Sequence, residues 1–301
     1  MPEAPLVIGL FGPTASGKTA IAGAVRDRIP AEVVSADSAA VYRGLAVLTA
    51  APAYPAHLVG IVDTQTEVSV AEFQRLAHGA IDSILDSGRT AVVVGGTGLY
   101  FRAALSGLRI PPPPAGDARE RWERVYDEGG PEAAHLLLAD RDPEAASRVH
   151  PNDRRRVVRA LELAEVGASL AGDRLWDEDV RHPTVVFGLD VPDDVLERRI
   201  RRRAAEMLDQ GVVDEARAAL ARPLSTSAGK VMGLVDFARL PPDEAAEALV
   251  RNNRRLARYQ RKWMRRLPDL ITVDADRPPG EVADEIVEVA RERQRLRARR
   301  A

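Results

Sequence analysis

The chain contains no cysteine, which excludes disulfides and thiolate metal sites. Lysine is almost as scarce. It stands only at Lys18, Lys230 and Lys262, so nearly all of the 43 basic residues are arginine. That bias, together with abundant alanine, is compositional, and only the placement of the arginines carries information about anions. No charge of one sign prevails either: the formal net charge is -2. Any nucleic-acid contact must therefore rest on local basic patches. No apolar run approaches the ~18 residues of a membrane span. The opening "MPEAPLVIGLFG" is acidic and lacks the basic start and small-residue cleavage site of a signal peptide. A cytoplasmic location is expected.

What is present is ordinary for a globular protein. Of the 301 residues, 45% are hydrophobic and 29% charged, enough for one large domain or two modest ones. "PLVIGLFG" reads as a buried strand and "KTAIAGAVRDRI" as the helix after it. "AEVVSADS" reads as a second strand ending at Asp37 and Ser38, "HLVGIVD" as a third, and "TAVVVGG" as another. A helix capped by Ser69 and closed by Gly88 lies between the last two. Strands alternating with helices predict an α/β fold with a mostly parallel sheet covered on both faces. "IPPPPAGD", residues 110 to 117, is a Pro-rich break. From there to residue 182 the pattern is helical, and strands resume with "TVVFGLDV" and "DLITVDA". The expected organisation is a core of residues 1–110 and 183–301 with a helical insertion at 111–182.

"GPTASGKT", Gly12 to Thr19, fits G-x-x-x-x-G-K-[ST] and sits between a strand and a helix, the context that motif requires. Gly12 and Gly17 are expected to permit unusual backbone angles. The N–H groups that come after Pro13, those of Thr14, Ala15 and Ser16, together with the helix N-terminus favour an anion. Lys18 supplies a point charge, and the Thr19 hydroxyl is placed to ligate Mg²⁺. Asp37 comes after an apolar strand expected to lie beside the loop. It could bind metal, accept a proton from a nucleophile, or simply cap the next segment. A nucleotide hydrolase usually offers a second acidic strand end, and here "AVVVGG" ends in glycines.

In "RNNRRLARYQRKWMRR" the basic residues at 251, 254, 255, 258, 261, 262, 265 and 266 fall on one face, an arc of about 140° at ~100° per residue. No acid lies within the stretch. A single-sign stripe is a footprint for a polyanion, and Arg254, Arg258 and Arg265 are candidate contacts to RNA. Leu256, Trp263 and Leu267 are expected to face the core. "NDRRRVVR", 152 to 159, is a second basic cluster. "RRIRRR", 198 to 203, has acidic neighbours and reads as a mixed solvated face.

Taken in order, "GPTASGKT", "SADSAAVYRG", "VGGTGLY", "HPNDRRRVVRALE" and "RRLARYQRKWMRR" resemble the tRNA dimethylallyltransferase (IPP transferase) family over about residues 5 to 275. The resemblance implies that the loop holds the diphosphate of dimethylallyl diphosphate, with Mg²⁺ as cofactor. It implies transfer of the dimethylallyl group to N6 of adenosine 37, beside the anticodon, in tRNAs reading codons that begin with U. Lys18 and Thr19 would stabilise the leaving group and Asp37 would be the general base. Asp37, Ser38, Ala39, Ala40 and Thr97 match positions that touch the RNA. So do Arg155, Arg156, Val157, Val158 and Arg159, in an insertion that clamps the anticodon arm, and more weakly Arg119. Lys230 stands near a position where some members carry a diphosphate-contacting arginine. The chain departs from the family pattern at Ala40, at Ala51, at "GLVDF" and in the short stretch after residue 51. A monomer is expected. Two other readings share some of these features: a small-molecule or nucleoside kinase, and a non-catalytic tRNA-binding relative.

Overall fold

A computed structural model describes residues 6–111, 116–170 and 179–298. The chain divides into two compact units, Met1–Gly107 with Trp176–Ala301, and Leu108–Leu175.

The first unit opens with β1 (Val7–Phe11), α1 (Lys18–Arg26), β2 (Ala31–Ser35), β3 (Ala56–His57), α2 (Val70–Asp86), β4 (Thr90–Gly95) and α3 (Gly98–Leu105). Its later elements come after the second unit's three helices, α4 (Ala118–Arg141), α5 (Pro143–Arg148) and α6 (Arg154–Glu165). They are β5 (Thr184–Asp190), α7 (Asp193–Asp209), α8 (Val212–Leu220), α9 (Leu234–Arg239), α10 (Pro242–Met264), β6 (Ile271–Asp274) and α11 (Pro279–Ala298).

The six strands form one sheet in the order β3-β2-β4-β1-β5-β6, and each adjacent pair is parallel. All five residues of β1 are buried, as a central strand covered on both faces requires. Ile8, Leu10, Val92, Phe187 and Leu189 pack with Ile21 and Val25 of α1 and with Val282 and Ile286 of α11. The helix signals read from sequence hold at α2: the Ser69 side chain accepts from the Glu72 N–H, and Gly88 adopts φ 74° past the end.

Two expectations about strands change. "HLVGIVD" contributes only His57 to the sheet, with Val62 in an isolated bridge to Tyr42, because Leu58 and Gly60 take left-handed φ of 63° and 60° and break the extended run. The segment instead hangs on the chain before it, with Gly60 and Ile61 donating to Ala40 O and Val41 O. Nor does β2 lie beside β1. β4 runs between them, so Asp37 is one strand removed from the phosphate loop.

The second unit is helical. Its first helix, α4, is interrupted at Gly130 (φ 82°, ψ 170°), immediately before Pro131, where the sequence reads as two helices. Tyr126, Leu138, Ala145, Val157, Val158 and Leu161 form the unit's core. Asp142 and Asp153 cap α5 and α6 by accepting from Ala145 N–H and Arg156 N–H. The unit spans 108–175 rather than 111–182.

Candidate active site

Parallel strands deliver their loops to one end of a sheet. At that end meet the loop after β1, Asp37 after β2 and the Gly96–Thr97 turn after β4. Phe11 and Gly95 are register partners, and Ala36 N–H donates to Val94 O at 2.7 Å. The glycines ending β4 close both seams. A Cβ on Gly95 would stand 2.6 Å from Ala36 O, beside the exit of β2, and one on Gly96 would stand 3.0 Å from Gly12 O, beside the exit of β1.

Within the phosphate loop, Gly17 adopts φ 90°, a conformation that costs glycine little. Gly12 is needed for a different reason from the one its motif position suggests. Its φ is not positive, and what it lacks is room: an added Cβ would lie 2.8 Å from Ser16 Oγ. Ala15 carries the second left-handed angle, φ 62°. The Lys18 ammonium donates to Gly12 O at 2.9 Å and Pro13 O at 2.6 Å. Burial pulls its pKa down to about 7; Asp37 opposes that fall and Arg203 adds to it. Three charges on three different elements therefore share one field.

The sequence pattern puts Arg203, on α7, on a solvated face. It turns inward instead. One guanidinium nitrogen donates to Thr49 O at 3.3 Å, while Nε is buried with no hydrogen-bond partner among the described residues. Burial lowers its pKa, with the Asp37 carboxylate opposing. Ser16 Oγ, fully buried in the phosphate loop, is likewise unpartnered. An unpaired buried hydroxyl and guanidinium N–H beside an anion-binding loop fit a phosphate-bearing ligand. The clue to Arg203 was its spacing: four residues after Arg199 and four before Met207, which is buried.

Asp37 is half-buried, and its Oδ1 accepts the Ala39 N–H at 2.8 Å. The capping reading is thus realised by one oxygen, leaving the other without a hydrogen bond among the described residues. Asp37, Tyr42 and Glu67 all act on the Tyr100 phenol. Tyr42 Oη and Ser227 Oγ are 2.6 Å apart, and Tyr100 packs on the Phe73 ring at 4.6 Å between centroids. Burial pushes the Tyr100 phenol up to about 12, and Tyr42, Glu67 and Asp37 push the same way. Ser38 and Ala39 are half-buried and Ala40 is buried. Thr97 begins α3 without using its hydroxyl as a cap. Thr19 is exposed at the start of α1. Among the described residues no group of three or more His, Cys, Asp or Glu could hold a metal. A hydroxyl with phosphate oxygens and water suits Mg²⁺ held largely by its diphosphate. Lys230 ends a short 3₁₀ turn, Ala228–Lys230, with its side chain exposed.

The basic stripe falls on α10, but it is not uniformly open. Acids from neighbouring elements engage part of it: Arg254 pairs with Glu197, and Arg261 reaches Val191 O and, at 3.3 Å, Asp193. Arg258, Lys262 and Arg265 are exposed with no ion pair among the described residues. Of the residues expected in the core, Leu267 is buried, whereas Leu256 and Trp263 are half-buried.

In the second unit Arg155 and Arg156 are exposed. Val157 and Val158 are buried in that unit's core, so their side chains do not face a partner. Arg119 and Arg159 converge on Glu162, a carboxylate with no exposed side-chain surface.

A parallel sheet, a phosphate loop at its carboxyl end and a carboxylate on a neighbouring loop define a P-loop-type α/β protein that handles a phosphate-bearing substrate. The chain matches the model of the IPP transferase family over residues 40–267, and it belongs to that family. The phosphate loop precedes the matched segment and rests on its own geometry and on full-length relatives. One of these, the tRNA dimethylallyltransferase of Streptomyces coelicolor, is 39% identical over 89% of both chains. The crystal structure of the full-length tRNA isopentenylpyrophosphate transferase from Bacillus halodurans is 33% identical, covers 98% of this chain and 99% of its own, and superposes with a TM-score of 0.67. A eukaryotic dimethylallyltransferase acting on tRNA shares the fold, with a TM-score of 0.74 at 22% identity over 90% of this chain and 74% of that one.

Proposed function

We propose that the chain transfers a dimethylallyl group from dimethylallyl diphosphate to N6 of an adenosine beside the tRNA anticodon, adenosine 37 in tRNAs reading codons that begin with U. The observation that carries this reading is the convergence of Lys18, Arg203 and Asp37 at one end of the sheet, in a member of this family.

The loop N–H groups, Ser16 Oγ, Lys18 and Arg203 receive the diphosphate, with Lys230 as a further cation near it. Their charge is worth most as the C1–O bond of the allylic carbon lengthens and negative charge gathers on the departing oxygen. Bound Mg²⁺, held by Thr19 and the phosphate oxygens, would neutralise part of that charge. The N6 lone pair forms the new C–N bond. Diphosphate leaves with the C–O electrons, and Asp37 takes the proton that N6 sheds. Ser38, Ala39, Ala40 and Thr97 contact the adenosine and its neighbours. An adenosine in a loop is extruded at modest cost. The exposed arginines Arg155, Arg156, Arg258 and Arg265 hold the phosphate backbone. The enzyme acts as a monomer in the cytoplasm.

Purified protein with Mg²⁺, dimethylallyl diphosphate and tRNA bearing adenosine 37 is expected to add a five-carbon unit to that base, read by mass spectrometry of the digest. No modified adenosine, beside an active relative as control, overturns the reading. Melting separates the kinase alternative: stabilisation by the allylic diphosphate and not by ATP is expected.

A further inference from the structure

Helix α10 meets the candidate active site at two glycines. A Cβ on Gly98 would fall 2.0 Å from the Trp263 ring, and one on Gly96 would fall 2.3 Å from the Gln260 amide nitrogen. At Gly98 a side chain fits only if the Trp263 ring or its helix moves, and at Gly96 only if the Gln260 amide is displaced and Gly12 O, 3.0 Å from the new Cβ, gives way. Gln260 itself is buried, at 5% exposure. Its Oε1 accepts the backbone N–H of Thr14 at 2.7 Å, across 246 residues of sequence. Only the oxygen of the amide can accept from an N–H, so the bond fixes the orientation of the group.

Thr14 lies in the most constrained part of the phosphate loop. Ala15, next to it, is left-handed with φ 62°, and the Ser16 N–H turns back to Pro13 O at 3.2 Å. A backbone in a sparsely populated conformation persists only when its surroundings hold it. The Gln260 amide is such a hold. It fastens the entering limb of the loop while leaving Ser16 and the helix N-terminus to the anion. It also comes from the helix whose other face carries Arg258, Lys262 and Arg265.

We propose that Gln260 is a positioning residue for the diphosphate, setting the curvature of the phosphate loop through the Thr14 N–H. The helix that presents the basic stripe thereby also shapes the anion site. The inference rests on the transferase reading only for the identity of the anion. Its test therefore reads binding of inorganic pyrophosphate with Mg²⁺, which remains informative even if the protein prenylates nothing.

Gln260→Met keeps the volume and removes the acceptor. Its affinity for pyrophosphate is expected to fall about tenfold, as for loss of one hydrogen bond serving a charged site. Gly96→Ala displaces the amide, also crowds Gly12 O, and is expected to give at least the same loss. The double variant is expected to be no worse than Gly96→Ala alone, because the Gln260 contact is already lost there. In the transfer assay of Gln260→Met, KM for the allylic diphosphate rises while kcat and the affinity for an anticodon stem-loop RNA stay near wild type. In the unaltered protein, hydrogen exchange at the Thr14 amide is expected to be slow. A lower melting midpoint with unchanged pyrophosphate affinity, additive losses in the double variant, or fast exchange at Thr14 would each overturn the proposal.

Discussion

Glu162 holds Arg119 from inside the helical unit: its buried carboxylate accepts the Arg119 Nε at 2.8 Å and, through its other oxygen, Arg159 at 2.7 Å. Two arginines that match family RNA-contact positions are therefore pinned by one acid. Glu162→Ala removes the buried acceptor shared by Arg119 and Arg159 and is expected to destabilise the protein by about 2 kcal/mol, read by urea denaturation. Arg155→Ala with Arg156→Ala is expected to weaken tRNA binding without that loss. Equal stability of Glu162→Ala and wild type would make the triad incidental.

Asp37 performs two tasks with two oxygens, and an amide can separate them. Asn keeps an oxygen for the Ala39 N–H and loses the base. Asp37→Asn is expected to cut transfer by roughly 10²–10⁴-fold with tRNA affinity and melting temperature unchanged. Full activity in Asp37→Asn would assign the proton to another acceptor.

Lys18 has a native pKa of about 7 against an ordinary 10.5. Between those values the unfolded chain binds more protons than the folded one, so the burial of Lys18 opposes folding. That penalty is present in full below pH 7 and fades as pH rises towards 10.5. Lys18→Met is expected to raise the stability of the ligand-free protein at pH 7 by about 1 kcal/mol, in the range of other stabilising substitutions, while abolishing diphosphate binding. The same shift predicts proton uptake. At pH 8 the ammonium is mostly neutral without ligand, and a diphosphate recharges it. Calorimetry in buffers of different ionisation enthalpy is expected to report uptake at pH 8 and little at pH 6. No difference between the two would place the proton elsewhere.

On α10, Arg258 and Arg265 are exposed and free of ion pairs among the described residues, whereas Arg254 is engaged by Glu197. Arg258→Ala with Arg265→Ala is expected to reduce the slope of log affinity for tRNA against log salt by about two. Arg254→Ala is expected to change it by less. An unchanged slope in the double variant would return this face to ordinary solvation.

The sheet, the phosphate loop and the helical unit were legible because each rests on local pattern: buried β-branched runs, a glycine-lysine spacing, a proline break. What the sequence hid depends on contacts between distant elements. Arg203 sits in a run of arginines of which Arg198, Arg201 and Arg202 face solvent, and its place on the helix one turn before the buried Met207 turns it inward. Glu197 lies outside the stripe it partly neutralises. The strand order that separates β2 from β1 depends on how crossovers return to the sheet, and the "HLVGIVD" run lost its strand to two left-handed residues. Gln260 reads as one polar residue on a basic helix until its partner, Thr14, is known.

The glycines that end β4 also limit what this fold can become. A phosphate loop turns into a hydrolytic engine when a neighbouring strand end offers a carboxylate to organise water. Here even a methyl group on Gly95 would strike Ala36 O at 2.6 Å, and on Gly96 the Gln260 amide at 2.3 Å. An acid at Gly95 would require β2 to separate from β4, and one at Gly96 would require the Gln260 amide to leave the Thr14 N–H and Gly12 O to give way. An acid at the end of β4 is thus opposed at one position by the chain leaving β2 and at the other by the phosphate loop and the amide that braces it.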